Sequence, residues 1–140
     1  MKRRSRARAG ASAPVLEIAH AFGFDAAHRF KDGPRGHRYG RMHGHSFRAE
    51  VVLRGSPRPP HGFVTDFARL ERACLRLRGT LDHALLNEIA GLTDPSLENL
   101  CVWIWERLET KFPGLARVTV RRDSLGQSCT YRGRGMRDEG

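Results

Sequence analysis

The spacing of the apolar residues changes twice along this chain, and that change limits what it can fold into. In VLEIAHAFGFDAAHRF (15–30) apolar and polar residues alternate in places, and HGHSFRAEVVLRG (43–55) reads as a second strand ending at Gly55. In TDFARLERACLRLRG (65–79), Phe67, Leu70, Cys74 and Leu77 recur at three- and four-residue steps. A two-residue period buries one face of a strand, whereas a 3.6-residue period buries one stripe of a helix. A second helical stretch, DPSLENLCVWIWERLETKF (94–112), carries Leu100, Ile104 and Leu108 on one stripe with Trp103 beside it. ARVTVRRD (116–123) and SCTYRG (128–133) return to strands. The order β-β-α-α-β-β predicts an α+β domain, with two helices on one face of an antiparallel sheet.

Punctuation agrees with the periods. KDGPRGHRYG (31–40) holds three glycines and a proline and reads as a loop, and SPRPPHG (56–62) as a turn. Thr65 or Asp66 can cap the first helix and Gly79 can end it; Ser96 is the expected N-cap of the second. LDHALLNEIAGL (81–92) is short and mixed. The expected division is a disordered basic tail over 1–14, one domain over 15–133 and a second tail over 134–140.

The 140 residues suit one domain, and a core drawn from 39% hydrophobic residues is modest, so a site shared between subunits is expected. The net charge of +10 is compatible with an anionic partner. Much of it, however, is terminal: Lys2, Arg3, Arg4, Arg6 and Arg8 at one end and Arg132, Arg134 and Arg137 at the other. Basic and aromatic residues do not interleave as in single-strand binders, so no nucleic-acid partner is expected. Cys74, Cys101 and Cys129 are far apart, which argues against a disulfide framework or a cysteine zinc knuckle and suits a reducing, cytoplasmic compartment. No apolar run approaches the ~20 residues of a membrane helix. The start MKRRSRARAGASAP has no hydrophobic stretch after it and is not read as a secretory signal.

Within HRYGRMHGHSF (37–47), His43 and His45 are two apart. On a strand they point the same way, and Gly44 leaves the opposite face uncrowded. Neutral imidazoles are good zinc ligands, and three protein ligands with one open position is the catalytic arrangement. A hairpin brings His28, at the end of FDAAHRF, alongside as the third ligand. His20, His37 and His61 read as loop or surface histidines. The spacing His43-x-His45-x4-Glu50 also resembles the cupin metal motif, but two amphipathic helices argue against an all-β fold, and Glu50 reads as facing solvent or a subunit neighbour.

Taken in order, FDAAHRF, GRMHGHSF, GFVTDFARL, LDHALLN, SLENLCVWIWERL and SCTYRG resemble the 6-pyruvoyl-tetrahydropterin synthase and 6-carboxy-tetrahydropterin synthase family, more closely the bacterial carboxy-tetrahydropterin synthases of queuosine biosynthesis. The resemblance covers about residues 17 to 133. It implies the T-fold: four antiparallel strands with two helices on one face, three subunits closing a barrel, two trimers forming a hexamer, and active sites at subunit interfaces. It implies zinc on His28, His43 and His45, and 7,8-dihydroneopterin triphosphate or a related dihydropterin as substrate. It further implies an Asp-His pair that assists proton transfer, matching Asp82 and His83, and a carboxylate that accepts from the amino-pyrimidine edge of the pterin.

Two positions depart from the family pattern. The family places a cysteine base four residues before the first histidine of HGH, where this chain has Tyr39. A tyrosine, with an ordinary pKa of about 10, is a poor base at neutral pH but can donate a proton or hold substrate. The family glutamate after the third strand's valine is replaced by Arg122, and a one-residue bulge would give Asp123 that role, with Glu98 as the other candidate for the pterin edge. Two expectations follow: a zinc-dependent lyase with Tyr39 or His83 in proton transfer, or a pterin-binding homologue with altered or lost catalysis.

Overall fold

Alternation and helical period each become the element they predict. The computed structural model describes residues 13–30 and 40–135. Tyr39, His37, the first 12 residues of the basic tail and residues 136–140 lie outside the described residues. The strands are β1 (Leu16–His28), β2 (His43–Gly55), β3 (Leu115–Arg122) and β4 (Gln127–Tyr131), and the helices are α1 (Phe67–Leu81) and α2 (Leu97–Leu108). The strands form one antiparallel sheet in the order β1-β2-β3-β4. None of the described helices is long and apolar enough to cross a membrane.

One face of the sheet makes the core. Phe22, Phe24 and Ala26 of β1, Phe47, Ala49, Val51 and Leu53 of β2, and Val118 and Val120 of β3 pack with Leu70, Cys74 and Leu77 of α1 and Leu100, Ile104 and Leu108 of α2. Every strand residue in this set is two apart from the next, so both helices lie on the same side. His43 and His45 continue the series of Phe47, Ala49 and Val51, and His28 continues that of Phe24 and Ala26. The three histidines are therefore the polar end of the hydrophobic face.

The helix ends differ from the sequence reading by a few residues. Asp66 caps α1 by accepting from Ala68 N, and the helix runs through Gly79 to Leu81 before Asp82 ends it. Ser96 caps α2 by accepting from Asn99 N. That helix stops at Leu108, before Pro113, whose ring cannot continue a helix. The mixed stretch 81–92 contains a short 3-10 turn, Leu86–Glu88, and lies against the end of β1: Ala27 N donates to Ala84 O (3.0 Å), and Ala27 bridges Leu85. Asn87 holds it there by accepting from Arg29 N at 3.0 Å and donating to Arg29 O at 2.8 Å.

Leu100, fully buried between α2 and the sheet, and Leu75, 52% exposed on α1, provide a contrast within one residue type. Leu100→Ala is expected to cost about 2–5 kcal/mol by leaving a cavity, while Leu75→Ala should stay within about 0.5 kcal/mol. Urea unfolding of the two variants checks this; equal losses would show that the helix is not packed as described.

Candidate metal centre and adjoining cleft

Register brings the histidines together. His28 pairs directly with His43 across β1 and β2, and His45 stands opposite Ala26. The ring centroids are 4.6 Å apart for His28 and His43, 5.0 Å for His28 and His45, and 4.7 Å for His43 and His45. One ligand nitrogen from each ring lies within 4.8 Å of the others. Zinc–nitrogen bonds of about 2.0–2.1 Å place tetrahedral ligand nitrogens roughly 3.4 Å apart, so a small inward turn of the rings would bring these three to ligand spacing and leave a fourth position open.

The outer hydrogen bonds fix the tautomers. His28 Nδ1 donates to Pro95 O at 2.9 Å, and His43 Nδ1 donates to Arg41 O at 2.7 Å. A carbonyl only accepts, so each Nδ1 carries the proton and each Nε2 keeps a lone pair. His28 Nε2 and His45 Nε2 are enclosed without any hydrogen-bond partner. Buried polar atoms rarely go unpaired, and two unpaired nitrogens within one histidine cluster fit a cation. Burial, then the other histidines and Arg122, lowers the pKa of His45 to about 4. Burial also lowers that of His28, against the opposing bond to Pro95. Both rings are held neutral, the form that ligates a metal.

A second constellation lies at the β1 edge. Asp82 Oδ1 accepts from Asp25 N at 2.9 Å, and Asp82 Oδ2 accepts from His83 Nδ1 at 3.0 Å, with Arg78 at 3.3 Å. The adjacent residues therefore do touch. They do so because His83 takes a left-handed backbone (φ 59°) and its N–H donates to Asp25 O at 2.6 Å. The hydrogen bond from Asp25 N, followed by the contacts with His83 and Arg78, holds the Asp82 carboxyl below the usual carboxylate range. His83 remains 81% exposed and shares a shallow recess with Gly44, His45 and Ser46. Ser46 Oγ donates to Asp25 Oδ1 at 2.6 Å, a link the sequence did not signal.

Beyond His28 a cleft of about 320 Å³ opens, lined by Phe30, Ser96, Leu97, Glu98, Arg122, Gln127 and Ser128. The Phe30 ring meets His28 edge-on at 5.0 Å. Glu98 is thus in the cleft. Asp123 starts a 3-10 turn and pairs with Arg48 at 3.2 Å, and it is not among the lining residues. Burial pushes the thiols of Cys74 and Cys101 up to about 12, and no cysteine lines the recess or the cleft.

Neutral histidines that turn ionic on acidification make the metal-free protein acid-sensitive. Between the ordinary value of 6.5 and about 4, the unfolded chain binds a proton at His45 that the folded chain refuses. The melting temperature of metal-free protein should therefore fall as pH drops from 7 to 5, and the fall should be smaller in His45→Gln. Metal analysis gives the companion outcome: one zinc per chain in wild type and none in His43→Ala. Undiminished stoichiometric zinc in that variant would remove His43 from the site.

Residues 17–134 match the sequence model of the 6-pyruvoyl tetrahydropterin synthase family. The chain is 36% identical over 114 residues to a dihydroneopterin monophosphate aldolase of Pyrococcus furiosus, covering 81% of this chain and 91% of that protein. It is likewise 36% identical over 112 residues to a 6-carboxy-5,6,7,8-tetrahydropterin synthase of Synechocystis, covering 74% and 83%. Among solved structures, the 6-pyruvoyl tetrahydropterin synthase of Caenorhabditis elegans superposes with a TM-score of 0.75 at 26% identity, over 86% of this chain and 97% of that one. The four-stranded sheet with two helices on one face is the T-fold subunit that the sequence motifs imply. The chain belongs to the 6-pyruvoyl tetrahydropterin synthase family.

Proposed function

We propose that this protein is a zinc-dependent lyase acting on the side chain of a 7,8-dihydropterin, either dihydroneopterin triphosphate or a phosphorylated relative, in the cytoplasm. The observation that carries the reading is the convergence of His28, His43 and His45, with two enclosed and unpartnered nitrogens, beside a ring-sized cleft. Bound zinc would polarise the side-chain oxygens and ease loss of a neighbouring proton. In this reading Glu98 accepts from the 2-amino and N3–H donors of the ring, with Asp123 the other carboxylate near that end of β3.

Proton transfer falls to His83. Asp82 holds His83 Nδ1 and is itself anchored by Asp25 N, so Nε2 is the free basic position. Tyr39 is its partner in this role, as proton donor or substrate contact. His83 stands exposed in a single chain, which supports a homo-oligomer whose neighbouring subunit closes the site. Carbon–carbon cleavage is favoured over the synthase reaction by two observations: no cysteine lines the recess or the cleft, and the 36%-identical Pyrococcus furiosus relative is named an aldolase.

Incubating zinc-loaded protein with dihydroneopterin triphosphate and, separately, the monophosphate, and resolving the pterin products by chromatography, tests the reading. A 6-hydroxymethyl pterin product marks aldol cleavage, whereas triphosphate release with a tetrahydropterin product marks the synthase reaction. Tight pterin binding with no turnover would instead identify a pterin-binding homologue with lost catalysis. His83→Ala should lower kcat/KM by about 10²–10⁴-fold while leaving zinc content unchanged. An unaffected rate would take His83 out of the reaction.

A further inference from the structure

The cleft beside the histidines contains two opposite charges that do not neutralise each other. Arg122 follows Val118 and Val120 by alternation, so it leaves β3 on the face that carries His43 and His45. Its Nε is enclosed with no hydrogen-bond partner. Among the described residues, neither Arg122 nor Glu98 has an ion-pair partner within 4.0 Å, although both line the same cleft. A buried guanidinium nitrogen left unsatisfied is costly, and the cost is removed by an acceptor that arrives with a ligand. The remaining walls include Phe30 and Leu97, which suit a flat ring, and Phe30 touches His28.

A ligand that satisfies both charges must present donors on one edge and acceptors on the other. A pterin does this. Its 2-amino and N3–H groups donate, while O4 and N5 accept side by side, much as O6 and N7 of guanine do for an arginine fork. A phosphate group would satisfy Arg122 but would meet Glu98 in the same cleft as a like charge. We propose that Arg122 is a specificity-determining residue that donates to O4 and N5 of the pterin, opposite Glu98 on the donor edge. This rests on the pterin reading given above. It also assigns a use to the position where the family pattern has a glutamate. When a bond to hydrogen or carbon breaks at the first side-chain carbon, its electron pair moves into the C6–N5 imine. A donor held on N5 then binds more strongly as the reaction proceeds.

The test is equilibrium binding rather than turnover. 6-Hydroxymethylpterin and 2,4-diamino-6-hydroxymethylpteridine differ at C4, an acceptor in the first and a donor in the second, and at N3, which carries a hydrogen only in the first, so the part of the preference that depends on Arg122 reads the O4–N5 edge. Zinc-loaded wild type, followed by fluorescence titration, should prefer the first by about 10- to 100-fold. Arg122→Met should lower that preference by about 10-fold, leaving only what the N3–H contact with Glu98 supplies. Arg122→Lys keeps the charge but loses the fork, and should lie between them; it also serves if the methionine variant fails to fold. Zinc content should be unchanged in both. If wild type binds both rings equally, or if Arg122→Met keeps the preference, the pterin reading stands and this role for Arg122 is overturned. A loss confined to affinity for inorganic triphosphate would overturn it too, by making Arg122 an anion anchor. If neither ring binds the zinc-loaded protein, the pterin reading itself falls and takes this proposal with it.

Discussion

Everything at the candidate metal centre depends on the register between β1 and β2. Side chains alternate between the two faces of a strand, so a slip of one residue would move His28 away from His43 and His45. The same slip would turn Phe22, Phe24 and Ala26 out of the core. The hydrophobic pairing of Phe24 with Phe47, whose rings stack at 5.0 Å, therefore also positions the histidines one step further along. The core and the site are a single series of alternating residues, apolar at one end and ligating at the other. The apolar end supplies the stability. The polar end carries a cost, with two nitrogens enclosed and unpaired and His28 fully buried.

The second constraint is the segment from Asp82 to Asn87, which covers the edge of β1. Asp82 takes the N–H of Asp25, His83 gives its own N–H to the Asp25 carbonyl, and Asn87 brackets Arg29. These bonds hold His83 in a left-handed conformation that a non-glycine residue adopts only when its surroundings insist. The bonds that impose the strain also bring the imidazole to its carboxylate. Ordering of the loop and assembly of the dyad are one event.

The sequence revealed the periods, and with them the sheet, the two helices and the histidine triad, because each depends only on spacing. It was less informative where tertiary contacts decide. Gly79 looks like a terminator, yet its backbone stays helical until Asp82 caps the end. Contact between Asp82 and His83 needs a positive φ at a histidine, which no residue pattern announces. The choice between Arg122 and Asp123 turns on strand parity at the end of β3. Regular pairing through Arg122 and Gln127 sends Arg122 toward the cleft and leaves Asp123 to Arg48, whereas a bulge would have exchanged them. Asn87 could be read as part of a motif, but its three hydrogen bonds to Arg29 and Thr93 could not.

The two constellations occupy different sides of one strand end. The histidine triad belongs to the helix-facing side of the hairpin, whereas His83 approaches from the free edge of β1 and meets His45 only across the recess at Gly44 and Ser46. In the function proposed above, a substrate served by both would pass over the end of β1, with its ring in the cleft beyond Phe30 and its side chain crossing the histidines toward Asp82 and His83. Gly44 leaves that path open: an added Cβ would make only an ordinary contact, 3.6 Å from the Ala26 carbonyl, but a larger side chain at this recess-lining position would take up space in it. The two groups of histidines also differ in solvation. Burial and mutual repulsion keep His28 and His45 neutral, while the His83 imidazole stays in water with its Nδ1 against Asp82. One fold thereby places two kinds of histidine at a single recess, His45 enclosed with an unpaired nitrogen and His83 exposed beside a carboxylate.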